Sequence, residues 1–249
     1  AKIMLPELTF PYLIPGQEVL LDDGKIHLKI VEKAENMAEN GGENTQGKRY
    51  FAKVLWGGLL KSRKSAALPG AKIYPPTLTN SDLANIKIAK EMGVTGVMQP
   101  FVRDHSDLEC VKEALREAGA EDIRLFAKIE NMDGVRKLEK LLPAADEIVI
   151  ARGDLGNAVH LWDLPGVQRQ ISEKCRAAGK PFMVVTQMLA SMERSPVPTR
   201  AEVNDIFHAV MDGAASIMVT GETAVGDYPV EVIRYMVNTV RSAEKKENR

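Results

Sequence analysis

Helical and apolar extended segments alternate from Thr79 to the end of the chain, and this alternation limits the fold more than any other feature. Thr79 with Asp82, and Thr199 with Glu202, predict capping boxes at the beginnings of two helices. Glycines follow four of the helical patterns and are placed to end them: 93, 119, 179 and 213. Five apolar runs of strand length lie between the helical patterns: 94–98, 124–128, 147–151, 181–186 and 216–220. The pattern predicts an α/β fold with a parallel sheet.

Two parallel architectures fit such repeated units, a (β/α)8 barrel and a doubly wound sheet. No predicted strand is followed by a G-x-G-x-x-G loop at the beginning of a helix, so the doubly wound dinucleotide-binding fold has little support. A complete barrel takes about 250 residues and eight strands. Residues 70–249 supply only five. We therefore predict a (β/α)8 TIM-barrel type of fold that is incomplete, with five of the eight strands, in residues 70–249.

The first 69 residues have the short alternating runs that are typical of a small all-β domain. Two of them, 17–21 and 25–31, are joined by Asp22-Asp23-Gly24, a hairpin turn signal. Another strand is predicted at 50–55, and the polar stretch 35–48 is predicted to be a mobile hairpin loop.

A cluster of three cations follows the glycine pair Gly57-Gly58 in this first region: Lys61, Arg63 and Lys64. One interpretation is a solvated loop, which is the ordinary place for charged residues. The alternative is a loop that faces the phosphates of a ligand. The residues alone leave both open.

Charged side chains follow two neighbouring strands of the predicted sheet. Lys128 and Glu130 share one face of their strand, because strand side chains alternate and Ile129 lies between them. The next strand, 147–151, ends in Arg152, Gly153 and Asp154. Such residues can be only the first solvated positions of a loop. In parallel α/β folds, however, the carboxyl ends of the strands hold the chemistry.

The two carboxylates suit a divalent cation. Glu130 and Asp154, one from each strand, would complete a hard-metal site together with water and substrate oxygens, as Mg²⁺ prefers. Lys128 beside them would stabilise negative charge as it moves between oxygens. The spacing of these residues therefore favours a divalent cation such as Mg²⁺ between the two strand ends.

The charges are balanced, with 33 Lys and Arg against 34 Asp and Glu and a net charge of −1. Such a chain has no electrostatic footprint for nucleic acid or an anionic membrane, so neither partner is expected. No apolar run approaches the roughly 20 residues of a membrane span, and the N-terminus lacks a signal-peptide pattern. The composition predicts a cytoplasmic protein. The first residue is Ala1 rather than Met, which suggests processing or truncation.

Five motifs, in this order and spacing, resemble those of pyruvate kinases. They are AKIEN (127–131), ARGDLG (151–156), TQML (186–189), PTRAE (198–202) and TGETA (220–224). One such motif alone would be weak, whereas five in order are very specific. Residues 21–24 and 57–70 also resemble the second half of the mobile lid domain of that family. The resemblance covers nearly the whole chain.

The resemblance implies an activity, cofactors and partners. Pyruvate kinases transfer the phosphoryl group of phosphoenolpyruvate to ADP, giving pyruvate and ATP in glycolysis, with Mg²⁺ or Mn²⁺ and usually K⁺. Their barrel carries the site, and their lid domain closes over the nucleotide. The resemblance also implies a homo-oligomer for the parent protein.

Carried over by position, the family's functions fall on the residues already singled out. Glu130 and Asp154 would ligate the divalent cation, and Lys128 would lie against the transferring phosphoryl group. The adjoining Arg152 is predicted to be catalytic.

Substrate and nucleotide contacts are implied in the same way. The backbone at Gly153 and Asp154, with the hydroxyl of Thr186, would hold the substrate carboxylate, and Thr186 would also lie close to the protonation step. Lys64 would reach the nucleotide phosphates.

The chain also departs from the family. Pro100 stands where the family often has Ser, and it offers a phosphate neither a hydroxyl nor an amide proton. Asn157-Ala158 replaces the usual acidic residue after Gly156. The family's first three barrel strands and the first half of its lid have no counterpart here, and they carry an arginine, the K⁺ ligands and a nucleotide-contacting histidine. The family's regulatory C-terminal domain has no counterpart either.

Five parallel strands cannot close into a barrel, so the strand at 94–98 is expected to expose an unpaired edge. Such a chain should aggregate or dimerise through that edge. We therefore expect a fragment of a longer protein, or a chain that is completed by another, and we expect these 249 residues to be inactive alone.

Two other functions stay open. One is a Mg²⁺-dependent barrel aldolase acting on pyruvate or phosphoenolpyruvate, for which the loop 57–64 would have no purpose. The other is a non-catalytic paralogue that binds phosphoenolpyruvate or a partner protein. Pro100 and the missing strands favour this paralogue, whereas intact Lys128, Glu130, Asp154 and Thr186 argue against it.

Overall fold

The computed structural model describes residues 2–22, 24–34, 49–62, 64–71 and 73–247. The chain divides into two compact units, Ala1–Pro76 and Thr77–Arg249. Both are built from the local signals that the sequence carries, and each is described by itself.

The first unit is an antiparallel sheet of four strands in the order β3-β2-β1-β4. The strands are β1 (Glu18–Leu21), β2 (Ile26–Lys33), β3 (Tyr50–Trp56) and β4 (Ala66–Ala67), and a 3-10 helix, Glu7–Tyr12, precedes them. The predicted hairpin between β1 and β2 is confirmed, with positive φ at Asp22 (50°) and Gly24 (81°). The loop predicted at 35–48 lies outside the described residues.

The second unit contains a parallel sheet of five strands in sequential order, which confirms the predicted α/β class. The strands are β5 (Gly96–Gln99), β6 (Arg124–Ile129), β7 (Glu147–Ala151), β8 (Phe182–Val185) and β9 (Ser216–Met218). Among the described residues, β5 and β9 form the two ends of this sheet.

Nine helices are present in the described part of this unit. They are α1 (Asn80–Ala89), α2 (His105–Glu117), α3 (Met132–Arg136), α4 (Leu138–Leu141), α5 (Arg152–Ala158), α6 (Leu164–Ala177), α7 (Arg200–Met211), α8 (Gly221–Ala224) and α9 (Pro229–Glu247), and a 3-10 turn covers Ala190–Glu193. No helix in the described ranges is long and apolar enough to cross a membrane. The segment directly after β7, for which no helix was predicted, is helix α5. The segment between β6 and β7 forms two short helices, α3 and α4.

The helix ends follow the sequence signals. Both predicted capping boxes are present: the hydroxyls of Thr79 and Thr199 accept from the backbone N–H groups of Asp82 and Glu202, whose carboxylates accept in return. The four predicted terminating glycines all have positive φ, which L-residues rarely adopt: Gly93 (71°), Gly119 (63°), Gly179 (61°) and Gly213 (87°). Short, sharp ends of this kind return the chain to the next strand.

Both faces of the parallel sheet are apolar, because its strands alternate between two buried layers. Ile148 and Ile150 of β7 pack in the large cluster that includes the helices, whereas Val149 and Ala151 pack with Met183 and Val185 in a separate cluster. Strands that are buried on both faces are typical of parallel sheets. The charged side chains of β6 and β7 therefore lie near the ends of these strands: Arg124, Lys128 and Glu147.

Candidate active site

Lys128 and Glu130 form an ion pair at the carboxyl end of β6. The Lys128 ammonium lies 2.8 Å from Oε1 of Glu130, and the side chain of Glu130 is 2% exposed against 25% for that of Lys128. The two side chains share a face, as predicted, and Ile129 between them packs into the core on the other face. A buried carboxylate needs such a partner, because leaving it uncompensated costs several kcal/mol.

The loop after β5 supplies the second partner of this carboxylate. The N–H of Phe101 donates to Oε2 of Glu130 over 2.7 Å. Phe101 has φ 51°, which is uncommon for a bulky residue. The same loop is tied to the end of β6 by Asn131, which donates to the carbonyl of Val102 over 3.1 Å. Glu130 is therefore oriented by two neighbouring strand ends.

An ion pair between Arg103 and the buried Asp107 stabilises the same loop. The guanidinium and N–H of Arg103 donate to Asp107 over 2.5 to 3.1 Å, and the hydroxyl of Thr77 adds a bond of 2.5 Å. Burial opposes ionisation of Asp107, but the hydrogen bonds from Arg103 and Thr77 outweigh it, so its pKa falls from 3.8 to about 2.

This pair makes the free energy of unfolding depend on pH in the acid range. The pKa of Asp107 is lower in the folded state, so its stabilising contribution is complete above about pH 4 and is lost as the pH falls towards 2. We expect Asp107→Asn to have a lower free energy of unfolding at pH 7 and a flatter pH dependence between about pH 4 and 2. Urea titrations at a series of pH values measure both. An unchanged slope in the variant would show that this carboxyl does not carry the effect.

The second group of predicted residues meets around Thr186, directly after β8. The N–H of Gly153 donates to the hydroxyl of Thr186 over 3.0 Å, and this hydroxyl donates to the carbonyl of Val185. Thr186 and its neighbour Gln187 both have positive φ, 78° and 54°. Such conformations cost about 1–3 kcal/mol each and persist only where the surroundings enforce them, often at functional sites.

Arg152 reaches the same turn. Its guanidinium donates to the carbonyl of Thr186 over 2.7 and 3.2 Å and to both carboxylate oxygens of Asp205 over 2.7 and 2.9 Å. The side chain of Arg152 is 11% exposed. Nη2 also lies 2.8 Å from the sulfur of Met188. No local pattern indicated Asp205 as a site residue, because it lies on α7, 53 residues from Arg152, in an ordinary polar helical position.

The loops after β8 and β9 are joined by Glu222. This buried carboxylate, 2% exposed, accepts from the N–H of Leu189 over 3.2 Å and from that of Thr220 over 2.8 Å. Glu202 of the capping box also accepts from Ser191, over 2.5 and 2.7 Å. Loops at the carboxyl ends of successive strands are thus linked by hydrogen bonds, which makes this edge a rigid platform.

Asp154 lies in the first turn of α5 and is half-buried. No cluster of three or more His, Cys, Asp or Glu side chains in the described ranges is placed to hold a metal ion. Each oxygen of Glu130 has one protein donor and keeps a lone pair, because a carboxylate oxygen can accept two bonds. One or two carboxylates completed by substrate oxygens are what Mg²⁺ uses at phosphoryl-transfer sites, so these residues fit the ion.

Lys64 belongs to the first unit. Its ammonium lies 2.9 Å from Oδ1 of Asp22, and the ammonium of Lys25 lies 3.6 Å from Oδ2 of the same carboxylate. The hydrogen bond from Lys64 is the main reason that the pKa of Asp22 is lowered. Of the other predicted cations of this loop, Arg63 lies outside the described residues.

Fold and site together define a parallel α/β protein with cationic, carboxylate and hydroxyl groups at the carboxyl ends of its strands, an arrangement suited to an anionic substrate. The chain belongs to the pyruvate kinase family, because the family model described as "Pyruvate kinase, barrel domain" matches residues 6–233. This finding confirms the resemblance that the five motifs indicate.

Relatives named pyruvate kinase are similar over most of the chain. The one from Bacillus licheniformis is 38% identical over 233 residues, which cover 94% of this chain and 38% of the relative. The one from Geobacillus stearothermophilus is 39% identical over 233 residues, 92% of this chain and 38% of the relative. The one from Chlamydia trachomatis serovar D is 35% identical over 242 residues, 97% of this chain and 47% of the relative. The chain therefore spans less than half the length of these relatives.

Proposed function

We propose that this chain is the larger part of the active site of a pyruvate kinase, which moves the phosphoryl group of phosphoenolpyruvate to ADP. The observation that carries the proposal is the buried Lys128–Glu130 pair at the carboxyl end of β6. In this reaction the bond between phosphorus and the enol oxygen breaks, a bond from phosphorus to the terminal phosphate oxygen of ADP forms, and the enolate takes a proton at its terminal carbon to give pyruvate.

Lys128 supplies the charge that this transfer needs. Phosphoryl transfer depends on positioning and on stabilising charge spread over the phosphoryl oxygens, more than on covalent chemistry by the protein. An ammonium held 2.8 Å from a buried carboxylate is fixed before the substrate arrives, so little reorganisation is needed during the reaction.

Glu130 and Asp154 would hold Mg²⁺ or Mn²⁺. The ion supplies neutralisation of the negative charge on the phosphoryl and enol oxygens when it is bound. The role of the protein is to orient the carboxylates, and for Glu130 the N–H of Phe101 does so. We also propose that K⁺ is required by the complete protein, as the family implies.

The region around Thr186 would bind the substrate carboxylate. The backbone amides of Gly153 and Asp154 and the hydroxyl of Thr186 would donate to it. In the structure the N–H of Gly153 donates to the Thr186 hydroxyl and that hydroxyl donates to the carbonyl of Val185, so both would exchange these partners for the substrate. Thr186 would also lie near the carbon that takes the proton. Its hydroxyl, held from two sides, is positioned for that step.

The remaining parts of the proposal concern the whole protein. We propose that residues 1–69 form part of a lid domain whose Lys64 exchanges Asp22 for the nucleotide phosphates. We propose further that residues 70–249 are five strands of a (β/α)8 barrel, which three strands from elsewhere would close by bridging β5 and β9, the two ends of the sheet. A cytoplasmic homo-oligomer acting on phosphoenolpyruvate, ADP and pyruvate is the parent protein that this assignment implies.

Glu130→Gln is the most direct test of the metal assignment. We expect at least a 100-fold loss of pyruvate formation from phosphoenolpyruvate, ADP and Mg²⁺ in the natural full-length protein, on the order of other losses of a charge-stabilising group. The amide keeps the shape of the side chain but is a much weaker ligand for the ion. In Mg²⁺ titrations, the variant should need a higher Mg²⁺ concentration for half-maximal activity.

Glu139→Gln is the matched control, because Glu139 is an exposed carboxylate that also pairs with a lysine, Lys174. It should keep wild-type activity. Equal activity in both variants would overturn the metal assignment. Wild-type protein that binds phosphoenolpyruvate without turnover would favour the non-catalytic paralogue, and carbon–carbon bond formation from pyruvate and an aldehyde would favour the aldolase.

A further inference from the structure

We infer that Arg152, held in place by Asp205, is a positioning residue that keeps the Thr186–Gln187 turn in the conformation that the reaction needs. This inference rests on the proposed function and replaces the catalytic contact that the sequence predicts for Arg152. It assigns a role to Asp205, which lies outside all five family motifs quoted above.

The turn needs such a residue. Thr186 is β-branched and has φ 78°, and Gln187 follows with φ 54°, so two consecutive L-residues are in the left-handed region. A β-branched residue there is a genuine conformational outlier. The backbone would relax to an ordinary conformation unless contacts outside the turn opposed that change.

Arg152 makes those contacts with its planar fork. Nε and Nη2 both donate to the carbonyl of Thr186, over 3.2 and 2.7 Å, while Nη1 donates to both oxygens of Asp205 over 2.9 and 2.7 Å. Lysine cannot reproduce this arrangement, because its ammonium is a single point of charge. The carboxylate of Asp205 fixes the plane of the guanidinium, and the guanidinium fixes the carbonyl.

The neighbouring residue holds the other polar group of the same threonine. The N–H of Gly153 donates to the hydroxyl of Thr186 over 3.0 Å. Two consecutive residues at the beginning of α5 therefore hold the carbonyl and the hydroxyl of Thr186 together. Rotation of the Thr186 backbone would break both contacts and move the hydroxyl from the place where the proposed protonation step requires it.

Asp205, the second partner of Arg152, is also held in place. Asp205 lies on α7, and the first turn of α7 is tied to the loop after β8 by Glu202, which accepts from Ser191. Arg152 thus joins α5, the β8 loop and α7 at one point. A change in Asp205 should reach the reaction only through Arg152 and Thr186.

The test is a pair of variants in the full-length protein, Arg152→Lys and Asp205→Asn. We expect kcat to fall by about 10- to 100-fold in Arg152→Lys, because a displacement of about 1 Å at a reacting group has an effect of this size. The KM for phosphoenolpyruvate should rise no more than it does in Thr186→Val, since Arg152 is proposed to reach the substrate only through Thr186. Asp205→Asn should give a smaller loss in the same direction. Arg169→Lys is the control, because Arg169 pairs with Glu173 on the exposed face of α6.

Combination with Thr186→Val distinguishes positioning from a separate catalytic contact. If Arg152 acts through the hydroxyl of Thr186, adding Arg152→Lys to Thr186→Val should lower kcat by no more than about twofold further. Independent losses that multiply in the double variant would overturn the inference. A rise in KM that is larger in Arg152→Lys than in Thr186→Val would also overturn it, because it would indicate a direct substrate contact by Arg152.

A measurement without turnover separates this inference from the proposed function. The sulfur of Met188 lies 2.8 Å from Nη2 of Arg152, so a ¹³C-methyl label on methionine reports on the guanidinium. Arg152→Lys and Asp205→Asn should both shift the Met188 methyl resonance, identified by its loss in Met188→Leu, while Arg169→Lys leaves it in place. An unshifted resonance in Asp205→Asn would contradict the inference. If the wild-type protein is inactive but the variants show the expected shifts, only the proposed function is contradicted.

Discussion

Lys128→Met is expected to lower the rate of phosphoryl transfer by about 10²- to 10³-fold, as does the removal of other groups that stabilise charge in a transition state. Methionine keeps the length and much of the volume of the side chain but carries no charge. The KM for ADP should change little, because Lys128 is assigned to the transferring phosphoryl group and not to the nucleotide. Initial rates of pyruvate formation at saturating Mg²⁺ measure the effect.

The control for this variant is Lys140→Met, since Lys140 is an exposed lysine of α4. It should retain wild-type rates. Removal of Lys128 also leaves the buried carboxylate of Glu130 without its cation, so the thermal midpoint of each variant must be measured and the assay run well below it. A folded Lys128→Met protein with an undiminished rate would rule out the role assigned to Lys128.

Gly134→Ala is expected to lower the free energy of unfolding by about 1–3 kcal/mol, the usual cost of forcing extra volume into a packed site. A Cβ at this position would lie 2.6 Å from the backbone carbonyl oxygen of Val102, which cannot move as a side chain would. Val102 adjoins Phe101, whose N–H orients Glu130. The same substitution should therefore also raise the Mg²⁺ concentration that is needed for half-maximal activity.

Gly166→Ala is the matched variant for this prediction. Gly166 lies in the first turn of α6 with no atom within 4 Å of an added Cβ. Alanine is the better helix former, so this variant should gain up to about 1 kcal/mol. Denaturant titrations of both proteins give the two values. If both variants change stability in the same direction, the close approach of Gly134 to Val102 is not what decides the result.

Local signals were sufficient for most of the architecture. The apolar runs, the capping boxes at Thr79 and Thr199 and the four terminating glycines each depend on residues that are close in sequence. The boxes and glycines are where they were predicted, and each run overlaps a strand, although β5 covers 96–99 rather than 94–98. The shared face of Lys128 and Glu130 followed from the alternation of a strand. These features follow from backbone geometry and need no knowledge of distant residues.

The contacts that position the site could not be predicted in this way. Phe101 lies 29 residues from Glu130, and Asp205 lies 53 residues from Arg152. Their partnerships exist only because parallel strands bring distant loops to one edge. The positive φ values at Thr186 and Gln187 also gave no sequence signal, because neither residue is a glycine. Helix α5 was missed because its seven residues include two glycines, which are poor helix formers.

The measurement that tests the central claim most directly follows the phosphoryl group itself. The full-length protein is mixed with phosphoenolpyruvate, ADP, Mg²⁺ and K⁺, and ³¹P NMR records the fate of phosphorus while proton NMR records pyruvate. We predict that the phosphoenolpyruvate signal is replaced by the γ-phosphate of ATP, one for each pyruvate formed, and that nothing changes when Mg²⁺ is withheld. Folded protein that leaves phosphoenolpyruvate unchanged, or that releases its phosphorus only as free phosphate, would contradict the assignment.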